Sequence, residues 1–319
     1  MTRVRQSRSS KIRIGIIQTF EPGERWTYEL GFALERLGFS WVPIEATYLK
    51  AVVNERGSAS LLIEGDPDLS ESSVDELALD GVIWRVSEED FYNYSNIFAL
   101  LSARYVMIND WQCIRTCSDK WRTSVKLAAA GITVVPTVLL APGMAVPGFE
   151  GRKTIIKPSV GASGNGVRLA DSGVIPSIST PHVAQPLVEG PSSAHIRVIV
   201  CGFEPIVSIH RIPGANQKSI GVEINNVAAG GRPVPAPMEP VHDLAAQVAR
   251  CVGGDVIGVD FVPWNGGYAV LEVNSSPGFN GIDEATGVDC FQAAAEQVVR
   301  RLSGTAIERK YDAVASGQS

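Results

Sequence analysis

Three oxygen-bearing side chains interrupt otherwise apolar stretches near the end of this chain. Asp260 lies in VIGVDFV (256–262); Glu272 and Asn274 lie in AVLEVNSSPGF (269–279), with a WNGG turn between the two runs. Two strands joined by that turn can set the carboxylates opposite each other. Glu272 and Asn274 share a face because strand side chains repeat every two residues. Converging oxygens of this kind suit a hard divalent cation, above all Mg2+ held beside phosphates. Carboxylates buried in apolar strands without a cation or donor are costly, although the same residues can also form a solvated strand face.

The second candidate stretch is IIKPSVGASGNGV, residues 155–167. Gly161, Gly164 and Gly166 permit a tight loop whose backbone amides approach an anion. Lys157, at the end of a strand-like run, can reach phosphate oxygens, or it can be a surface lysine on an edge strand. The spacing is neither GxxxxGK[ST] nor a dinucleotide fingerprint. Taken with the acidic hairpin, it points to chemistry on MgATP. Arg197 and Arg211 follow in IRVIVC and SIHRIPG, where guanidinium groups can clamp phosphate oxygens or developing charge. His195 and His210 neighbour them, and His182 and His242 read as structural.

These residues need elements to position them, and the sequence supplies an α/β pattern. IRIGII (12–17) is a strand, TYELGFALERLG (27–38) a helix stopped by Gly38, and FSWVPIEA (39–46) a strand. VDELALDGVIWRV (74–86) reads as a short helix entering a strand, and ARYVMIND (103–110) as another strand. Strands alternating with helices predict a parallel sheet over residues 11–115. Its crevice-facing candidates are Glu21, Arg25, Arg85 and Asn109, or these are plain loop residues. SDKWRTSVKLAAAG (118–131) is a helix capped by Ser118 or Asp119 and ended by Gly131, and ITVVPTVLL (132–140) is a strand. Residues 116–190 make a second unit and 191–305 a third, with helical runs MEPVHDLAAQVARCV and DCFQAAAEQVVRRL. After Gly304 the chain is expected to fray, with IERKYDAV adding at most a terminal turn.

Composition narrows the partners. The chain has 319 residues, 28 Lys and Arg against 34 Asp and Glu, and a net charge of −6, so no overall pull toward nucleic acid is expected. The five cysteines include no CxxC pair, which argues against structural zinc and a disulfide framework and fits a reducing, cytoplasmic setting. Cys113 and Cys117, four apart, fit one helix face as core residues. No run is long and apolar enough for a membrane span, and the polar first ten residues read as a tail, not a secretion signal.

The order SDKWRTSVKLAAAGITVVPT, IIKPSVGASGNGV, AQPLVEG, HIRVIVCG, HRI, INNVAAGG, VIGVDFV, LEVNSSPGF resembles ATP-grasp ligases. The branch is that of the ribosomal protein S6 modification enzymes and the lysine-biosynthesis ligase acting on an amino-group carrier protein. The resemblance covers nearly the last two hundred residues of the folded part; the amino-terminal layer matches only in general character. It implies an ATP-grasp fold: an amino-terminal parallel-sheet domain followed by two α+β subdomains enclosing ATP. It implies that Lys120 and Lys157 bind ATP phosphates together with the loop residues Gly161, Ser163 and Gly164 and with Arg197. Gln185, Pro186, Leu187 and Val188 would hold adenine, and Glu189 the ribose. Arg211 and Asn226 would contact the triphosphate and acyl phosphate, so that Arg211, Lys157 and Asn226 form the catalytic set. Asp260, Glu272 and Asn274 would ligate one or two Mg2+ ions, with Mn2+ as a substitute.

The reaction implied is ADP-forming ligation of a carboxylate to an amine through an acyl phosphate, on amino-acid-like or peptide substrates and possibly a carrier protein, by a homodimer or homotetramer. Alternatives on the same scaffold are a peptide-tailoring ligase forming macrocyclic esters or amides, a small-molecule kinase, and a noncatalytic nucleotide-binding protein. Two departures concern the substrate and not the nucleotide. His195-Ile196-Arg197 stands where the family often has Asp-Ile-Arg, and Asn226-Val-Ala-Ala-Gly-Gly where it has Asn-x-x-Arg-Gly-Gly.

Overall fold

The computed structural model describes residues 12–19, 25–69, 72–87, 90–142, 144, 149, 152–161, 164–170, 178–188, 195–212 and 232–315, the last eleven as backbone only. Ser163, Glu189, Asn226 and Glu21 lie outside the described residues.

The amino-terminal layer is a parallel sheet of β1 (Arg13–Gln18), β2 (Ser40–Glu45), β5 (Gly81–Arg85) and β6 (Val106–Ile108), in the order β2-β1-β5-β6. Ile14 and Ile16 face one core while Ile17 faces another, as a sheet covered on both sides requires. Helix α1 (Trp26–Arg36) buries Trp26, Leu30, Ala33 and Leu34, one stripe at helical spacing. Past its end Gly38 takes φ 88°, the left-handed stop expected of it. Between β2 and β5 the chain adds an antiparallel hairpin, β3 (Leu49–Val53) and β4 (Ala59–Ile63), which the sequence pattern had not revealed. The predicted short helix before β5 is a single 3-10 turn, Val74–Leu77, closed by a Ser73–Glu76 capping box. Helix α2 (Phe91–Ser102) is a further addition.

Helix α3 (Trp111–Cys117) carries Cys113 and Cys117 inward, their sulfurs 4.0 Å apart in the core. Helix α4 (Lys120–Ala129) begins at Asp119, whose Oδ1 accepts from the amides of Trp121 at 2.9 Å and Arg122 at 3.3 Å. The strand expected over 132–140 is split: Val134 bridges Val270, and β7 (Val138–Leu140) starts only after Pro136, which has no amide to donate.

β7 belongs to a small antiparallel sheet, β7-β10-β8-β9, with β8 (Thr154–Pro158), β9 (Arg168–Ala170) and β10 (His182–Pro186). The glycine-rich turn links β8 to β9 as a hairpin. Gly166 holds φ +73°, and a Cβ there would come within 2.8 Å of the Pro158 ring. Only glycine meets both demands without strain.

The last sheet runs β13-β12-β11-β14-β15, all antiparallel pairs, with β11 (Ile196–Cys201), β12 (Glu204–Ile212), β13 (Arg232–Pro235), β14 (Val256–Trp264) and β15 (Gly267–Asn274). Helix α5 (His242–Val252) packs one face and α7 (Cys290–Ala315) the other; the short α6 (Ile282–Thr286) lies by β13, with Ile282 in the α7-side core. α7 does not stop at Gly304 but continues to Ala315. It also packs on α1, so the first and last sheets share one core through Ile14, Ala33, Ile199, Ile209 and Val298.

Candidate active site

The β14–β15 hairpin turns through Asn265 (φ 49°) and Gly266 (φ 80°), consecutive positive-φ residues that match the twist of a tight hairpin. Its register pairs Asp260 directly with Glu272 and Gly258 with Asn274, and a bulge follows Asp260. On the other side β11 pairs Arg197 with Asp260. Charges therefore cross one sheet in strand order: Arg211 on β12, Arg197 on β11, Asp260 on β14 and Glu272 on β15. Gly258 is a residue the sequence reading passed over. A Cβ there would sit 3.1 Å from the Pro277 Cβ, tighter than ordinary contact, so its absence lets Pro277 pack closely on the strand beside Asp260.

Asp260 is 4% exposed and fully paired: Arg197 donates from Nε to Oδ1 and from the second fork nitrogen to Oδ2, both at 2.7 Å, and Arg211 donates to Oδ2 at 2.8 Å. Burial pushes its carboxyl up, but the fields of Arg197 and Arg211 outweigh burial and hold it at about 2. Burial likewise pushes Glu272 up, and Lys120 and Lys157 together bring it below the usual carboxylate range. Both acids are thus ionised at neutral pH.

Lys120 begins α4 and reaches across the cleft. Its Nζ lies 3.3 Å from Glu272 Oε1 and donates to the Gly161 carbonyl, touching both the acidic hairpin and the glycine turn. Its backbone amide donates to Ser159 O at 2.8 Å, and the Ser159 hydroxyl donates to Asp119 Oδ1 at 2.5 Å, which fixes the helix start against the loop. Ser159 is a second positioning residue that nothing in IIKPSV announced.

Lys157 lies in the interior of its sheet, between β10 and β9, and is 8% exposed. Burial lowers its ammonium to about 8, against the pull of Glu272 and Asp260 and with the push of Lys120. Burial and the neighbouring Arg197 also lower Arg211 from its ordinary value. Along β10, Gln185 donates to Thr137 Oγ1 at 2.8 Å, and Leu187 N donates to Lys153 O at 2.7 Å. Val188 packs with Leu271, Trp264 and Val135 in an apolar cluster next to Glu272. Pro186 is buried at the end of β10. Gly164 follows in the turn at φ 77°.

Among the described residues no cluster of three or more His, Cys, Asp or Glu forms a metal centre. The donor set is two ionised carboxylates and an amide. Asn274 Nδ2 is buried without a hydrogen-bond partner, so nothing on that nitrogen resists turning the carboxamide oxygen toward the acids. Such a set is too sparse for an all-protein cage but fits Mg2+, which keeps waters and shares phosphate oxygens.

Of the crevice candidates, Arg85 donates to Ser276 O at 2.8 Å and Oγ at 2.6 Å and lies over the Trp26 ring. Asn109 is spent on backbone, bonding Val256 O, Ser275 O and Val256 N, and so locks the layers together and is not free for a substrate. Arg25 is exposed and pairs with Glu29. His182 Nδ1 lies 2.7 Å from Thr180 O, and His242 Nδ1 lies 3.1 Å from Asp243, structural contacts both. His210 Nδ1 contacts the His195 carbonyl, and the field of His195 acts on Asp260.

The three sheets and the cluster between them define an ATP-grasp fold. D-cycloserine synthetase DcsG superposes with a TM-score of 0.65 at 18% identity, over 91% of this chain and 99% of that one. An ATP-grasp ligase, PsnB, solved with minimal precursor, Mg and ADP, gives 0.58 at 16% identity over 91% and 98%. Residues 117–300 match the RimK-like ATP-grasp domain, more than half of the chain, and the protein belongs to that family. Among its relatives, a probable alpha-L-glutamate ligase of Pasteurella multocida (strain Pm70) is 29% identical over 208 residues, 61% of this chain and 62% of the relative. One from Legionella pneumophila (strain Corby) is 31% identical over 198 residues, 57% and 63%. The matched region thus spans less than two thirds of those relatives' length. Among the described residues no helix is long and apolar enough to cross a membrane.

Proposed function

We propose that the protein is an ADP-forming, ATP-dependent carboxylate–amine ligase acting on amino-acid-like or peptide substrates. The observation that carries this reading is Lys120, whose ammonium joins the Gly161 carbonyl to Glu272 and so brings the glycine turn and the acidic hairpin together. On this reading residues 11–115 form the substrate side, and residues 116–190 and 191–305 enclose ATP.

Lys120 and Lys157 hold phosphate oxygens with the turn of Gly161, Ser163 and Gly164. Gln185, Pro186, Leu187 and Val188 flank adenine, Glu189 takes the ribose, and Val188 and Leu271 supply apolar contact. Asp260, Glu272 and Asn274 would hold Mg2+, or Mn2+ in its stead; when bound, the ion neutralises charge on the β and γ phosphates. A triphosphate offers Arg197 and Arg211 alternative acceptors, which would release an Asp260 oxygen for the cation.

A substrate carboxylate oxygen attacks the γ phosphorus in line, the bond to the β-phosphate oxygen breaks, and ADP leaves. Arg211, with Lys157 and Asn226, steadies the charge on the transferred group. An amine then attacks the acyl carbon, loses a proton and expels inorganic phosphate, leaving an amide. No protein nucleophile enters the sequence.

The test is purified protein, ATP and panels of acids and amines, followed by mass spectrometry. ADP should accumulate only when both partners are present, with a product lighter than their sum by one water. A phosphorylated hydroxyl compound would replace the ligase with a kinase, and MgATP binding without turnover would leave a nucleotide-binding protein. The reading places the protein in the cytoplasm, as a homodimer or homotetramer.

A further inference from the structure

We propose that a cavity between α2, α3 and α4, outside the nucleotide site, anchors an acidic segment of a peptide substrate. This rests on the ligase reading and gives it a substrate class: a peptide or protein in place of two free amino acids.

The cavity has a volume of about 280 Å3. That is below the roughly 300–1,000 Å3 of sites that enclose whole ligands and suits one or two side chains of a longer molecule. One wall is aromatic. Phe91 stacks on Trp111 with ring centres 5.5 Å apart and a 27° tilt, and buried Phe98 also stacks on Trp111 at 5.2 Å. Tyr92 extends this wall outward, 59% exposed. Arg115 from α3 and Arg122 from α4 add two guanidinium groups to the lining. Aromatic residues and arginine meeting in a pocket backed by rigid packing are the composition of binding hot spots.

Charge selects the occupant. Among the described residues the one acid lining the cavity is Asp119, and it is already spent: Oδ1 accepts from Trp121 N, Arg122 N and Ser159 Oγ, and Oδ2 lies 3.4 Å from Arg122 Nε. The Ser95 hydroxyl donates to Tyr92 O. Among the described residues Arg115 forms neither an ion pair nor a hydrogen bond, so it faces the cavity as a cation whose charge is not balanced. A free amino acid would bring its own ammonium toward two guanidinium groups, with no carboxylate left among the described lining residues to receive it. A glutamate or aspartate side chain within a peptide brings the anion alone, and a neighbouring apolar residue fits the aromatic wall. The cavity floor is Val160, which pairs with Asp119 as an isolated bridge, one residue from Gly161 on one side and from Lys120 on the other. An anchored segment therefore rests on the back of the strut that aligns the phosphate lysine.

The experiment is calorimetric titration of the full chain with the capped pentapeptide acetyl-Gly-Glu-Leu-Glu-Gly-amide, its glutamine counterpart and free glutamate. It is repeated on Arg115→Glu and Tyr92→Ala, two exposed positions outside the nucleotide machinery. The acidic peptide should bind wild type, and either substitution should weaken it by roughly tenfold or more with MgATP affinity unchanged. Equal binding of the glutamine peptide or of free glutamate, variants that bind like wild type, or no binding by wild type would each overturn the anchor. Peptide binding that persists where the protein fails to bind MgATP would sink the ligase reading and leave the anchor standing.

Discussion

The five-stranded sheet that carries Arg197, Asp260 and Glu272 is packed on both faces. Ile199, Cys201 and Ile209 meet α1 and α7 on one side, while Val198, Val200, Ile257 and Val259 meet α3 and α5 on the other. The four-stranded sheet that carries Lys157 rests, among the described residues, on Leu140, Ile156, Ile178 and Ala184. The site therefore joins a deeply anchored acidic jaw to a lightly anchored cationic one. Charges that must stay in fixed mutual geometry sit on the heavy core, and the group proposed to follow the phosphates sits on the light one. Local opening free energy follows buried apolar contact, so the lighter sheet is the jaw expected to move.

The largest effect should come from the anchored jaw. Asp260→Asn keeps the shape but removes the anion, and ADP release should fall by about 10²–10³-fold. Asp260→Ala should also lower stability, by about 3–5 kcal/mol, because it strands two buried guanidinium groups. Denaturant unfolding of both variants beside turnover checks this. Turnover near wild type in Asp260→Asn would remove the metal and phosphate assignment.

The light jaw should respond with opposite signs. Lys157→Met removes a buried ammonium, and a lowering from 10.5 to about 8 corresponds to a folding cost of about 3 kcal/mol at most. The variant should melt higher while MgATP affinity drops, a trade between stability and function. The same lysine sets a pH dependence. The folded value lies below the unfolded one, so between about 8 and 10.5 the unfolded chain binds more protons. The penalty is fully present below about 8 and fades as pH rises through that window. On the proposed reading MgATP affinity needs the ammonium, so it should move the other way and fall about tenfold by about pH 9. Lys157→Met should flatten both profiles in melting and titration curves.

How much of this was legible in the chain follows the range of the contacts. The acidic hairpin could be read because alternation and a turn are local: Asp260 and Glu272 are register partners across one tight turn. The α4 cap and the glycine hairpin were legible for the same reason. The pairing of Asp260 with Arg197 and Arg211 was not, since it depends on which strands become neighbours 49 and 63 residues away. Asn109 looked like a crevice residue because it ends a strand, yet its amide is committed to backbone 147 and 166 residues on. The β3–β4 hairpin escaped because Leu49–Val53 and Ala59–Ile63 do not alternate polar and apolar residues, and α2 because its aromatic and polar residues follow no simple stripe.

A smaller change probes the turn proposed to link the light jaw to the phosphates. Gly166→Ala forces a side chain into φ +73° and against Pro158, so it should cost about 1–2 kcal/mol of local stability and raise the KM for ATP more than it lowers kcat. Steady-state kinetics at saturating acid and amine separates the two. An unchanged KM would mean that the turn does not touch the nucleotide.

The smallest effect belongs to Lys50→Ala. Lys50 and Glu64 pair at 2.7 Å across the β3–β4 hairpin, but both side chains are more than half exposed, so water and salt screen the attraction. Exposed pairs of this kind contribute about 0–1 kcal/mol, and their effect shrinks further as ionic strength rises. Lys50→Ala should therefore leave ADP release unchanged and shift the unfolding midpoint barely at all, although its ion pair is as short as the Arg197–Asp260 contact. Distance is the same in the two places; burial and the number of partners are not. A loss of turnover in Lys50→Ala comparable to that in Asp260→Asn would show that proximity alone governs these pairs, and the contrast between the anchored jaw and the rest of the molecule would fail.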